Sequence, residues 1–279
     1  MTHGNAFLRN RHAAIGVVLV GGVMLLAVFG PWLAPFDYET VDMAAVWAPP
    51  GALHLMGADA LGRDVLSRFL VGARVSLGVA LSVLAITLVI GVTLGVVSGY
   101  VGGLVDTIVM RLADIIFAFP ELILAILVAA VLGPGKLAVV VSLSLVWWPG
   151  IARLTRSLVL SLKEALFIDA AITSGTPTAR ILLEHIVPNI AAPIAVRASV
   201  GVGFIIMAEA TLSFLGLGVQ EPEPTWGAMI RDGIGALRTD PHLALFASLG
   251  LATAVIGFNF LGDGLRDWLD PKASPAENR

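Results

Sequence analysis

The chain has no cysteine among its 279 residues. That absence removes disulfides, thiolate zinc sites and cysteine nucleophiles together. Charge is scarce too: 13% of residues are Asp, Glu, Lys or Arg, against roughly 25% in an average soluble domain. The net charge of −3 is spread along the chain without a basic stripe, so nucleic-acid binding has no electrostatic footprint. No H-E-x-x-H or G-x-S-x-G occurs, and His3, His12, His54, His185 and His242 have no ligand spacing. No catalytic residue and no metal site is therefore expected. A G-x-x-x-x-G-K-[ST] phosphate loop is missing as well, because Gly135-Lys136 lacks the upstream glycine and the following hydroxyl. The chain is thus expected to bind no ATP in that mode and to do no bond chemistry; any energy it uses would come from a partner or a gradient.

What fills the space left by charge is apolar surface: 57% of residues are hydrophobic and the mean hydropathy is +0.92. No soluble core needs that much, so lipid is the solvent for most of the chain. In lipid the backbone must satisfy itself, in helices or a closed barrel. The apolar runs are continuous instead of alternating with period two, which selects helices. Runs free of Asp, Glu, Lys and Arg lie between Arg11 and Asp37, Arg74 and Asp106, Glu121 and Lys136, Lys136 and Arg153, and Asp240 and Asp263. A further run around Pro193–Leu217 holds Arg197 and Glu209. These predict an all-α membrane protein with six spans, at 13–33, 76–99, 115–133, 137–153, 190–216 and 243–262. The first run exceeds the 7–15 residues of a signal-peptide core and lacks a clean small-residue cleavage site, so it reads as a retained anchor.

Six spans put both termini on one side. With the termini inside, Arg9, Arg11, Arg111, Arg153, Arg156, Lys163, Arg180, Arg197, Arg266, Lys272 and Arg279 are inner, and Arg63, Arg68, Arg74, Lys136, Arg231 and Arg238 are outer. The balance of 11 against 6 places both termini in the cytoplasm. Segments 34–75 and 217–242 then face outward. Each carries turn chemistry, Ala48-Pro49-Pro50-Gly51 and Glu221-Pro222-Glu223-Pro224, followed by a helical stretch, Asp59–Arg74 and Thr225–Leu237. The expected layout is an N-terminal part, 1–75, holding the tail, first span and external segment, and a core, 76–279, holding a cytoplasmic loop at 154–189.

That loop is the most informative segment. Ser161–Ser174 reads as a helix, Gly175 as its left-handed stop, Thr176 as an N-cap and Pro177 as the first helical position. A short helix at 177–186 turns Ile181, Leu182 and Ile186 to one side, and Pro188 ends it. The result is a rigid, partly apolar knuckle. Two uses fit it: docking a protein partner, or lying on lipid headgroups.

The spacing Asp169-Ala170-Ala171, Gly175 and His185-Ile186-Val187-Pro188 resembles the EAA loop of bacterial ABC importer permeases. Asp169 stands where that family has Glu, one methylene longer, and Val187 where the pattern has Leu. Four more strings, at 54–77, 110–126, 208–230 and 257–271, resemble the C-subunit permeases of dipeptide, oligopeptide and nickel importers. The resemblance implies a type I ABC importer fold in a bacterial inner membrane. It implies a homologous permease partner in a heterodimer, two ATPase subunits holding ATP and Mg, and an external solute-binding protein. It also implies that Asp169, Ala170, Ala171, Gly175, Pro177, His185 and Pro188 belong to the ATPase-coupling loop. The expected cargo is di- or oligopeptides, with nickel or another small solute as the alternative. A gradient-driven transporter is the more distant rival, and would want more intramembrane ionisable groups than Glu209 alone.

Other residues carry two readings each. Glu209, an acid within a span, either lines the substrate route or sets helix packing by hydrogen bonding. Gly91, Gly95 and Gly99 share a helix face and serve either subunit contact or internal packing. Arg111 and Asp114 form a local i,i+3 pair, and Phe119-Pro120 kinks its helix. Arg63, Asp64 and Arg68 are a solvated helix face or a docking surface for the binding protein; Trp226 and Arg231 divide between an interface anchor and the same docking role.

Overall fold

Because a lipid-facing backbone must close its own hydrogen bonds, the apolar runs fold as helices. The computed structural model describes residues 11–269 and contains no strand among them. Arg9, Lys272 and Arg279, used in the orientation count, lie outside the described residues. The helices are α1 (Arg11–Leu33), α2 (Val65–Val101), α3 (Gly103–Phe117), α4 (Glu121–Leu132), α5 (Lys136–Lys163), α6 (Leu166–Thr173), α7 (Thr178–Arg180), a π-helical segment (Ile181–Ile186), α8 (Val187–Phe214), α9 (Trp226–Ile234) and α10 (His242–Leu269). Five stretches are long and apolar enough to cross a membrane: α1, α2, α5, the continuous run Thr178–Phe214, and α10. The bent pair α3–α4 meets the same measure when its two halves are taken as one broken span, which gives up to six.

Three expectations change here. The span placed at 115–133 is not one kinked helix: α3 and α4 meet at 90° across Ala118–Pro120. Pro120 cannot donate to the preceding turn and adopts an extended ψ of 125°, so the chain turns a corner instead of bending. The helix expected over Asp59–Arg74 begins only at Val65, where Asp64 caps α2, and then runs unbroken through the span expected at 76–99. No break therefore marks a boundary at 75/76. The helix expected over Ser161–Ser174 is divided, because α5 continues to Lys163 and α6 starts afresh at Leu166.

The glycine stripe has an internal use. A Cβ on Gly91 would stand 2.7 Å from Ile151 Cβ and 3.0 Å from the Trp148 carbonyl; on Gly95 it would stand 2.6 Å from the Ala152 carbonyl, and on Gly99 3.0 Å from Val159 Cβ. Without those carbons α2 and α5 approach closely enough for dense van der Waals packing, the attraction that remains when lipid is as apolar as the side chains. Val83, Val139, Leu143 and Val146 continue this seam into the main core. The bundle has two distinct ends. One carries α6, α7 and the π segment; the other carries residues 34–64 and 215–241.

Gly95→Leu should therefore part α2 from α5. We expect loss of about 1–3 kcal/mol or more from overpacking, read as a lower melting temperature in detergent. Gly78→Ala, whose Cβ meets nothing within 4 Å, should not lower the melt, since alanine suits a helix interior better than glycine.

Candidate functional site

The knuckle forms because α6 stops in a Schellman arrangement. Gly175 takes φ +79°, its N–H donates to the Ile172 carbonyl at 2.9 Å, and the Thr176 N–H donates to the Ala171 carbonyl at 3.0 Å. Thr173 and Ser174 hydroxyls donate to the Asp169 and Ala170 carbonyls at 2.9 and 2.7 Å, so the helix end leaves few orphan acceptors. Ile168, Ile181, Ile186 and Ile190 are buried together with Val96 and Val159, which anchors the knuckle to α2 and α5. The predicted apolar side at Ile181 and Ile186 thus points inward. A second apolar set, absent from the sequence reading, faces out: Leu166 (85% exposed), Phe167, Ile172 and Leu183 (69%). Around it stand exposed Asp169 and Ala170, while Ala171 packs half-buried on the inner cluster. The helical alternation of Ile168 and Ala171 against Leu166, Asp169 and Ala170 was the available signal.

Two local expectations are corrected. Pro177, not Thr176, occupies the N-cap position of α7. Pro188 does not end a helix: it stands in the first turn of α8, and the chain is helical without interruption from Thr178 to Phe214. The π segment makes this possible. Its wider turn, with the Val187 N–H donating to the Leu182 carbonyl, relieves the clash of a proline ring with the carbonyl four residues back. The Asn189 side chain donates to the His185 carbonyl at 2.6 Å.

Charged pairs tie this end together. Arg156 grips Asp106 through Nε and a second guanidinium nitrogen, and Arg153 binds Asp114 while lying 4.3 Å over the Phe117 ring. The expected Arg111–Asp114 contact exists at 3.7 Å, but the chief partner of Asp114 is Arg153, from another helix. Lys163 donates to the Tyr100 carbonyl at 2.8 Å, at the C-terminal end of α2 where a cation is favoured.

At the opposite end the residues expected on a solvated or docking face are interior. Arg63, Asp64 and Arg68 are 6%, 2% and 1% exposed and Trp226 is fully buried. Asp59 accepts from Arg63 Nε at 2.7 Å and lies 3.5 Å from Arg68 Nε, and Glu221 accepts from Arg63 at 3.0 Å. Asp64 caps α2 through the Ser67 N–H at 2.7 Å and meets His54 at 2.8 Å. Trp226 stacks on Phe69, with ring centroids 5.6 Å apart, and donates to its carbonyl at 3.2 Å. The reason is that separate segments fold over them: Asp59 and Glu221 close on the arginines, His54 meets Asp64, and α9 seats Trp226 on α2, which the spacing along one chain could not show. Arg231 remains partly exposed, held by Asp232 at 2.9 Å and by the Ser213 carbonyl at 3.3 Å. Glu209 is also enclosed, 0% exposed, with Ser213 Oγ donating to it at 2.7 Å. Within this chain it is therefore enclosed by packed side chains.

Residues 91–275 match the family described as the binding-protein-dependent transport system inner membrane component. Residues 5–50 match the N-terminal TM domain of oligopeptide transport permease C. The chain is 40% identical over 268 residues to the oligopeptide transport system permease protein OppC of Haemophilus influenzae, covering 95% of this chain and 86% of that protein. It is 43% identical over 267 residues to the glutathione transport system permease protein GsiD of Shigella flexneri, covering 95% and 88%, and 44% identical over 268 residues to that of Salmonella typhimurium, with the same coverage.

Two outcomes follow for this charged cluster. Asp59→Asn leaves two buried guanidinium groups short of their counter-charge and should cost about 3–5 kcal/mol, read as a large drop in melting temperature. The Arg63 hydrogen bond holds Glu221 below the usual carboxyl range. A depressed folded-state pKa contributes stability that is complete above the unfolded value, about 4.3, and is lost as pH falls through the lower folded value. Below about pH 4 the wild type should therefore lose melting temperature more steeply than Glu221→Gln.

Proposed function

The chain belongs to the family of binding-protein-dependent transport system inner membrane components and has the type I ABC importer membrane fold; from that premise we propose that it is a di- or oligopeptide permease driven by a separate ATPase through the knuckle. The observation that carries the reading is the outward apolar set Leu166, Phe167, Ile172 and Leu183 around Asp169 and Ala170. Such a surface wants a protein groove, and the inner isoleucines anchor it to the helices. A push on the knuckle enters α8 directly, since the π segment joins the two without a gap, and enters α5 through Ile168 and Val159. ATP binding, with its Mg, would close the partner ATPase pair and so bias a helix packing with two arrangements. This chain contributes half of the route, and a homologous permease the other half. Asp169, Ala170 and Ala171 present the contact, Gly175 sets its angle, and Pro177, His185 and Pro188 shape the arm that leads into α8.

The knuckle end is assigned to the cytoplasm, with both termini. The excess of Lys and Arg on the segments at the knuckle end, 11 against 6, supports this. The other end would receive the solute-binding protein, on a scaffold that Arg63, Asp64, Arg68 and Trp226 hold together from inside. Peptide cargo is supported by the breadth of similarity to relatives named for oligopeptides and glutathione and by the match of the N-terminal segment.

The test is the assembled importer in proteoliposomes. Gly175→Leu has open space around it but an unfavourable φ of +79°, a strain of roughly 1–2 kcal/mol. It should remain in the membrane yet lose peptide-stimulated ATP hydrolysis. Full stimulation in that variant would remove the turn from coupling.

A further inference from the structure

Glu209 being enclosed leaves open which groups meet the cargo, and the structure offers another acid. Glu121 opens α4 just past the corner at Pro120, is exposed, and has no ion pair or hydrogen bond among the described residues. It lines a groove of about 160 Å³ between α4, α5 and α8, with Leu143, Trp147, Phe204, Met207 and Thr211. At 1.5 Å per residue, Trp147 lies about 16 Å along α5 from Lys136 and Phe204 about 15 Å from the end of α8. Both are near mid-depth of a core roughly 30 Å thick. A lone carboxylate at that depth is costly against lipid, so it belongs to a wet route or a partner.

The groove has the chemistry of an ammonium site. The Trp147 and Phe204 rings stand 6.3 Å apart at 45°, offering π faces beside the carboxylate. A cation shares the same stripe of α8: Arg197, Phe204 and Thr211 recur every two turns. The Arg197 guanidinium lies over Gly150 of α5 and, like Glu121, has no ion pair or hydrogen bond among the described residues. Arg197 is about 10 Å from Phe204 along the axis, the reach of a short extended peptide at about 3.3–3.6 Å per residue. We propose that this face is the cargo-facing wall of the translocation route, with Glu121 receiving the peptide's ammonium group and Arg197 its carboxylate. The inference rests on the peptide reading above.

The chain's lack of cysteine makes a direct test possible. Single-cysteine variants Glu121→Cys and Arg197→Cys in the assembled importer should react with a membrane-impermeant methanethiosulfonate. Val18→Cys on α1, 72% exposed on an apolar helix, is the unreactive reference. In proteoliposomes with labelled trialanine, Glu121→Gln and Arg197→Gln should each lower uptake at least tenfold, with Glu121→Asp retaining part of it. Unreactive cysteines at 121 and 197, or wild-type uptake in both Gln variants, would overturn the assignment and leave the peptide reading intact. Absence of trialanine uptake by the wild type would instead overturn the peptide reading and the two charge roles with it, and cysteine reactivity would still decide whether the face is wet.

Discussion

The close seam between α2 and α5 is the contact on which the remainder depends. Three glycines four residues apart let two long helices approach until a Cβ on any of them would crowd a backbone carbonyl of the opposing helix. In lipid no solvent-driven force holds helices together, so the contact must come from packing density. Everything with functional weight is attached to one of these two helices. Lys163 joins their ends, Arg153 and Arg156 pin α3 to α5, the isoleucines of the knuckle rest on Val96 and Val159, and Trp226 seats α9 on α2.

Charge is handled differently at three depths. Toward the knuckle the pairs Asp106–Arg156 and Asp114–Arg153 join separate helices. At the other end Asp59, Arg63 and Arg68 form an interior cluster that half-exposed Glu221 closes from outside, where the loss of one buried partner matters more than the presence of the pair. Between them, Glu121 and Arg197 stand on an open face without partners among the described residues.

The sequence was read well where local rules suffice. The apolar runs located five long helices because length and hydropathy are sufficient when the backbone must bond to itself. Gly175 was legible as a left-handed stop since only glycine takes that conformation without strain, and the glycine stripe was legible as a packing face. Pro188 misled because a proline ends a helix only if the preceding turn cannot widen, and here a π segment widens it. Phe119-Pro120 misled in degree: a proline predicts interruption, but the angle depends on what the next helix packs against. Arg63, Asp64, Arg68 and Trp226 misled most. Polar residues near an external turn read as solvated until a distant segment folds over them.

What the sequence determined by itself, then, was the class of solvent, the helices and the family pattern of the knuckle. These follow from residues close in the chain, or from the sum of composition. Tertiary structure alone decided which carboxylates are enclosed and which are open. The sequence left Glu209 between the substrate route and helix packing, and marked Glu121 only as the edge of an apolar run. Only the return of α9 over α2, and the right-angled corner before α4, set one inside the packing and the other in a groove.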